Sequence, residues 1–367
     1  MTVQDTSTFQ SLGVDLGGLQ LSNPIMPASG CFGPQMASVV DTSGLGAVVT
    51  KTVFPDVRSG NPAHRLGETP GGMINAVGIP SPGLPGLRTT VLPDYCALGP
   101  PVIVSIGGLT VEEYVRMAAG LAELVASEYR FAAVAAVEVN LSCPNLEHGG
   151  LEMGSVPERV AEVVNRVGEQ TDLPVFAKLT PNVTDIAALA RAAEAAGAHG
   201  LTVANTFVGL VIDVHRRRPV LGNVTGGVSG PAMKPLALRA VHQASRAVEI
   251  PVIGCGGIAT ASDVLEFYLA GASAVQVGTA NFTRPDTMNR ILDELPKLLS
   301  ELDVLHISDL KGAMDTPAAV DLGETKDPEL DLPITEPGRP ASPGEGNNRR
   351  AGRAPGWVEA QPIPSES

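Results

Sequence analysis

The chain has 367 residues, 44% of them hydrophobic and 17% charged, ample for one large core and for a barrel domain of about 250 residues with insertions. Its formal net charge of −14 argues against a nucleic-acid backbone or an anionic membrane as partner, although a few local lysines can still hold a small anion. No apolar stretch approaches the roughly 20 residues that span a bilayer. The opening MTVQDTSTFQ lacks the basic-then-apolar pattern of a secretion signal, so a cytoplasmic protein is expected.

Short apolar runs recur along the chain, each followed by Gly, Ser, Asn or Lys and then by a helical stretch. In order they are Pro24–Ala28, Ala47–Lys51, Val102–Ile106, Val134–Asn140, Val175–Leu179, Leu201–Asn205, Val252–Gly254 and Ala274–Val277. They do not alternate with polar residues, which is the pattern of parallel strands buried on both faces. The stretches Val111–Ser127, Pro157–Glu169, Thr184–Ala196, Pro235–Ala247 and Ala261–Ala270 are amphipathic or Ala-rich and read as helices. Thr184 with Asp185, and Thr260 with Asp263, are helix-start signals, and Gly197 and Gly271 stand where helix ends are expected. Eight strand–helix units predict an α/β fold, a (β/α)8 TIM barrel. An open dinucleotide-binding sheet would carry GxGxxG after its first strand; here Gly44 and Gly46 precede a strand instead.

Two Pro- and Gly-rich insertions interrupt the pattern, Thr52–Pro101 and Thr206–Lys234. Loops of that length are functional or disordered, and the apolar content of both predicts function. From Ala313 onward Pro, Gly, Glu and Asp dominate. Residues 1–312 are therefore expected to form the barrel and 313–367 a disordered acidic tail. The four cysteines, Cys31, Cys96, Cys143 and Cys255, form no CxxC pair, so neither an iron–sulfur cluster nor another metal site is expected within this chain.

The active site of such a barrel lies at the C-terminal ends of its strands. Those ends carry Ser29 and Gly30, Lys51 and Thr52, Ser105, then Asn140 with Ser142 and Cys143, and next Lys178. Asn205 and Thr206, Gly256 and Gly257, and Gly278 and Thr279 complete the ring. Each alone reads equally well as a loop cap, but lysines and amides are expensive to bury without partners. A ring of them points to a polar, planar, anionic ligand. The glycines after strands seven and eight stand where this fold cradles phosphate; the plainer reading is two tight turns.

Several segments resemble the class 1 dihydroorotate dehydrogenases. They are EVNLSCPN at 138–145, GNPAHRLGETPGGMINAVG from Gly60, KLTPNVTDI from Lys178, IDVHRRRPVLGNVTGGVSGPAMKP from Ile212, VIGCGGI from Val252 and VQVGTANF from Val275. The likeness runs from about Val14 to Gly312, and ETPGGM and RRPVLGNVTGG are most like the B-type catalytic subunits. The resemblance implies bound FMN and oxidation of (S)-dihydroorotate to orotate in pyrimidine biosynthesis. Cys143 matches the base that takes the C5 proton while hydride passes from C6 to flavin N5. Thiols suit this work because their pKa is readily tuned. Cys31, Cys96 and Cys255 keep the plainer reading of small buried hydrophobes.

By the same resemblance, Lys51 touches both flavin and the substrate carboxylate. Asn75, Ala76, Val77, Gly78 and Ile79 match the substrate loop, and Asn140, Asn145, Asn205 and Thr206 complete the hydrogen bonding of the pyrimidine. Lys178 matches the lysine beside flavin N1 and the C2 carbonyl, where positive charge stabilises reduced flavin. Ser29, Thr52, Ser105, Ala204, Gly230, Gly256, Gly257, Gly278 and Thr279 match the remaining flavin contacts. Ser105 stands where the family commonly has asparagine, and Pro80–Gly83 replaces a usual Gln-Asn-Pro-Gly. B-type enzymes pass electrons to NAD+ through a second subunit with FAD and a 2Fe–2S cluster, whereas A-type enzymes use fumarate alone; the sequence leaves the acceptor open. A homodimer is implied by the resemblance only. Three other readings compete: a dihydropyrimidine dehydrogenase-like enzyme acting on uracil or thymine, a Schiff-base aldolase using Lys51 or Lys178, and an inert barrel whose tail binds partners.

Overall fold

The computed structural model describes residues 11–141 and 153–315. The described residues fall in one compact unit; Thr316–Ser367, and with it nearly all of the expected tail, lies outside them. Eight parallel strands form the central sheet: β1 Ile25–Pro27, β2 Val48–Val49, β3 Val102–Ile106, β4 Val134–Asn140, β5 Val175–Lys178, β6 Gly200–Val203, β7 Val252–Cys255 and β8 Ala274–Val277. Their order is β1-β8-β7-β6-β5-β4-β3-β2. At the seam between β1 and β2 the Gly46 N–H donates to Ile25 O at 2.9 Å. The sheet is thereby nearly closed into the barrel that the eight apolar runs predict. Strand residues such as Val48, Val104, Phe176, Leu201 and Val275 are fully buried, as required of strands covered on both faces.

Helices α1 Val111–Ser127, α2 Pro157–Gly168, α3 Ile186–Ala195, α4 Lys234–Ser245, α5 Ala261–Leu269 and α6 Thr287–Glu301 cover the barrel. Local chemistry fixes their ends. Thr110 caps α1 by accepting from the Glu113 N–H, and Asp185 caps α3 by accepting from the Ala188 N–H. Thr260 and Asp263 form a reciprocal capping box on α5. Gly197 and Gly271 take positive φ, +91° and +110°, just past α3 and α5, a conformation glycine adopts at little cost. No described helix is long and apolar enough to cross a membrane.

The two insertions are more ordered than their composition suggests. Strands Leu66–Thr69 and Gly72–Asn75 from the first join Gly226–Ser229 and Phe207–Gly209 from the second in a four-stranded antiparallel sheet. The register pairs Asn75 with Gly227 and Ile74 with Val228. Partners this far apart in sequence leave little local signal, because each strand is short and rich in glycine. A small separate core of Ile74, Ala76 and Leu221 sits beneath this sheet.

Closure of the barrel leaves no room at its seam. A Cβ on Gly46 would lie 2.0 Å from the backbone oxygen of Asn23, whereas one on Gly44 would meet nothing within 4 Å. Gly46→Ala is therefore expected to lower unfolding free energy by about 1–3 kcal/mol. Gly44→Ala should change it by less than about 0.5 kcal/mol. Urea denaturation followed by circular dichroism reads both.

Candidate active site

A cleft of about 1330 Å³, open mouth included, occupies the C-terminal end of the barrel beneath the four-stranded sheet. The ends of six of the eight strands supply its floor: Ser29 after β1, Lys51 and Thr52 after β2, Asn140 on β4, Lys178 on β5, Ala204 to Thr206 after β6, and Gly278 and Thr279 after β8. Cys255 with Gly256 and Gly257 comes from β7 and its turn. The insertions form the walls through Asn75, Val77, Gly78, Ile79 and Gly230. Residues scattered over more than 200 positions are thus brought to one cavity. Ile79 has φ +47°, a strained conformation for a β-branched residue of the kind that concentrates at binding sites.

Two expected residues stand just behind the lining. Ser105, fully buried, hydrogen-bonds through its hydroxyl to Thr52 Oγ1 at 2.9 Å and reaches the cavity only through that partner. Ala76 is buried in the small core under the sheet. Cys143 and Asn145 lie outside the described residues, as does Ser142. Sequence reasoning missed the apolar side of the cleft, to which Leu66, Met73, Phe207, Val228, Met233 and Phe282 contribute. Most of these sit in the insertions or their flanks, where only the long-range pairing reveals their direction. Cys31 and Cys255, expected as plain core thiols, also line the cleft.

Polar groups of the floor are interlocked. Asn140 Nδ2 donates to Thr52 Oγ1 at 3.0 Å, and Ser29 Oγ donates to Thr50 O at 2.8 Å. Asn205 Nδ2 donates to Asn140 Oδ1 at 3.4 Å, while Asn205 Oδ1 accepts from the Thr206 N–H at 2.8 Å. Asn75 Nδ2 donates to Gly227 O at 3.2 Å, tying one insertion to the other. These bonds hold three amides facing one cavity, each offering a donor and an acceptor.

Two lysines give the cleft its charge. Partial burial lowers the pKa of Lys51; Cys31 opposes this, and the nearby Arg65 guanidinium adds to the lowering. An anion entering beside Lys51 would oppose this lowering and gain a charge-assisted bond. Lys178 is only 5% exposed. Burial by itself would lower its pKa, but the Glu138 carboxylate beside it raises it above the ordinary lysine value. The ammonium is therefore retained at every physiological pH.

The far end of the cleft is built of glycine. Gly256 and Gly257 have φ +137° and +78°, and a Cβ on Gly257 would lie 2.7 Å from Lys234 Cβ. A Cβ on Gly230, at φ +104°, would lie 2.6 Å from Gly72 Cα. Only bare backbone fits here, which leaves N–H groups available to an anion. Lys234 Nζ bonds both Asp263 Oδ1 at 2.6 Å and Glu266 Oε1 at 2.7 Å, and Asp263 Oδ2 accepts from the Ala259 and Thr260 N–H groups. This clamp fixes the turn between β7 and α5. A phosphate-bearing, planar cofactor such as FMN fits the glycine cradle, the polar floor and the buried cation together.

Comparison with known proteins bears on this cleft directly. The family model described as dihydroorotate dehydrogenase matches residues 11–299. The catalytic subunit of dihydroorotate dehydrogenase B (NAD(+)) from Geobacillus kaustophilus is 50% identical over 303 residues, covering 82% of this chain and 95% of that protein. The protein of the same name from Desulforudis audaxviator is 50% identical over 302 residues, covering 82% and 96%.

The surroundings of the two lining thiols make a prediction. Burial, then the neighbouring Cys255, pushes the Cys31 thiol up to about 12 despite the opposing lysines, and burial likewise raises Cys255. Iodoacetamide acts on thiolates. Peptide mass mapping of the native protein near neutral pH should find Cys31 and Cys255 labelled more than about tenfold more slowly than in denaturant.

Proposed function

The chain belongs to the dihydroorotate dehydrogenase family and oxidises dihydroorotate to orotate in pyrimidine biosynthesis; we propose that it does so with bound FMN and passes the electrons to NAD+ through a second subunit. The observation that carries the cofactor assignment is the coincidence, in one cleft, of a glycine cradle, a buried ammonium and converging amides. When bound, FMN accepts the hydride that leaves C6 of the substrate.

The chain's own residues do the rest. The backbone of Gly256, Gly257, Gly278 and Thr279 binds the phosphate, and at Gly256 and Gly257 a Cβ would collide with Ala237 and Lys234. Lys178 would hold the N1 and C2 carbonyl edge of the flavin, where its charge would favour the reduced form. Ser29, Thr52, Ala204 and Gly230 hold the remainder of the ring system, with Ser105 acting through Thr52. Lys51 pairs with the substrate carboxylate. Asn75, Asn140, Asn145, Asn205 and Thr206 bind the dihydropyrimidine, with the backbone from Ala76 to Ile79 closing over it. Cys143 takes the C5 proton of the substrate. The strained backbone at Ile79, in the cleft wall, is of the kind that concentrates at binding sites.

The relatives' names, which specify a catalytic subunit and NAD+, support a separate electron-transfer subunit; the FAD and 2Fe–2S cluster it would carry are what the resemblance to B-type enzymes implies. Exposed apolar side chains on the second insertion, Val208, Leu210, Ile212 and Val214, support self-association into a homodimer, since surface patches of this kind mark interfaces.

Anaerobic mixing of the purified protein with dihydroorotate, followed by visible absorbance, tests the reading. Bleaching of the flavin band is expected, slowed by roughly 100- to 10,000-fold in Cys143→Ala. Lys51→Ala is expected to raise KM for dihydroorotate roughly 100-fold. A colourless protein that cannot be reconstituted with FMN would overturn the proposal. A yellow protein that dihydroorotate leaves unbleached but uracil reoxidises after chemical reduction would move it to the carboxylate-free pyrimidines.

A further inference from the structure

Behind the floor of the cleft, four polar side chains meet inside the barrel. Glu138 on β4 is 1% exposed, and Thr202 on β6 and Gln276 on β8 are fully buried. Glu138 Oε2 accepts from Gln276 Nε2 at 2.6 Å and from Thr202 Oγ1 at 3.0 Å. Gln276 Oε1 in turn accepts from Lys178 Nζ at 2.9 Å. The direct ion pair is longer, 3.6 Å from Lys178 Nζ to Glu138 Oε1, and that oxygen has no hydrogen-bond partner. The Gln276 amide is thus wedged between the two charges. Lys178 lines the cleft; Glu138, Thr202 and Gln276 do not.

This arrangement is costly if its purpose is stability alone. Desolvating two charges in a barrel interior is repaid only by excellent geometry, and apolar side chains of similar volume serve stability at least as well. What the network supplies is a fixed position for an ammonium at the cavity wall. Without the wedge, nothing keeps Lys178 from closing the gap to the carboxylate and withdrawing from the cleft. Without the carboxylate, burial removes the proton.

We infer that Glu138 is a positioning residue for the electron transfer: acting through Gln276, it keeps the Lys178 ammonium charged and aimed at the bound flavin, and so sets how strongly that flavin takes electrons. The inference rests on the reading that Lys178 adjoins the flavin. The groups facing Lys178 are Glu138 from β4, Cys255 from β7 and Cys31 from the turn after β1, with Lys51 beyond Cys31. Burial raises both thiols, and Lys51, whose own pKa burial lowers, keeps its surroundings in Glu138→Gln, so a new break in slope in that variant belongs to Lys178.

The test is the midpoint potential of the flavin in the intact, FMN-loaded protein, measured spectroscopically from about pH 6 to about pH 10. In Glu138→Gln the uncompensated ammonium should raise the potential at the acid end. The potential should then fall more steeply than in the unsubstituted protein as Lys178 loses its proton, giving a break in slope that the unsubstituted protein lacks. Gln276→Met, close in volume, keeps both charges but removes the wedge; its potential should drop toward that of Lys178→Met. If Lys178→Met itself leaves the potential unchanged, the lysine does not adjoin the flavin and the reading beneath the inference fails. If Lys178→Met shifts the potential while Glu138→Gln and Gln276→Met both follow the unsubstituted curve, the positioning role of Glu138 is overturned. Should Glu138→Gln fail to fold, Gln276→Met alone decides.

Discussion

Inside a closed parallel barrel a charge survives only if a neighbouring strand supplies its counter-charge, and the Lys178–Glu138 pair is where this chain meets that constraint. The two residues sit on adjacent strands in register, Asn140 pairing with Lys178 and Glu138 with Phe176, so their side chains enter the barrel interior one level apart. Gln276 arrives from across the barrel to bridge them. The rest of the site is arranged around the cation this pair sustains: amides and hydroxyls on the β1, β2, β4 and β6 ends, a glycine cradle on the β7 and β8 ends, and a lid of inserted strands above.

The division of labour between the strand ends follows from backbone geometry. Where the chain must approach a ligand with its own N–H groups, side chains are excluded; the contacts that a Cβ on Gly257 or Gly230 would make with Lys234 or Gly72 give the reason. Where a ligand must be read by shape and hydrogen bonding, side chains are required, and each is held by a second one. Asn140 is braced by Thr52, Thr52 by Ser105, and Asn75 by the Gly227 carbonyl. Such bracing removes rotamer freedom before a ligand arrives, which is how a site gains affinity without new contacts. The Lys234 clamp does the same for the turn that carries Gly256 and Gly257, joining the first residue of α4 to the first turns of α5.

Much of this was legible in the sequence, for physical reasons that differ by element. The barrel strands announced themselves because burial on both faces demands continuous apolar runs. The caps at Asp185 and Thr260, and the glycines at 197 and 271, announced themselves because helix ends have few chemical solutions. Strand ends could be searched for chemistry because in this fold the mouth is always at the same end, and the lysines, amides and glycines found there do converge on one cleft. Resemblance of whole segments to a known family then attached a substrate and a cofactor to that ring of residues.

Other features existed only once the chain was folded. The four-stranded sheet over the cleft joins segments about 150 residues apart through strands of three or four residues, too short and too rich in glycine to show a period. Ser105 stands one side chain behind the cavity because β3 presents it to Thr52, a relation set by inter-strand packing and invisible in either neighbourhood. Glu138 read as an ordinary letter of a catalytic motif, while Gln276 and Thr202 read as isolated polar residues inside apolar runs. Their role is a matter of which strands face each other across the barrel, and hydrogen bonds between residues 64 to 138 positions apart leave no local trace. The sequence by itself determined the elements, the end of the barrel that carries chemistry and most of the residue types that line it, because these follow from local burial and capping rules. Tertiary structure alone decided which polar groups touch and which lysine gains a buried counter-charge, because pairing across a closed sheet depends on distances that no single segment encodes.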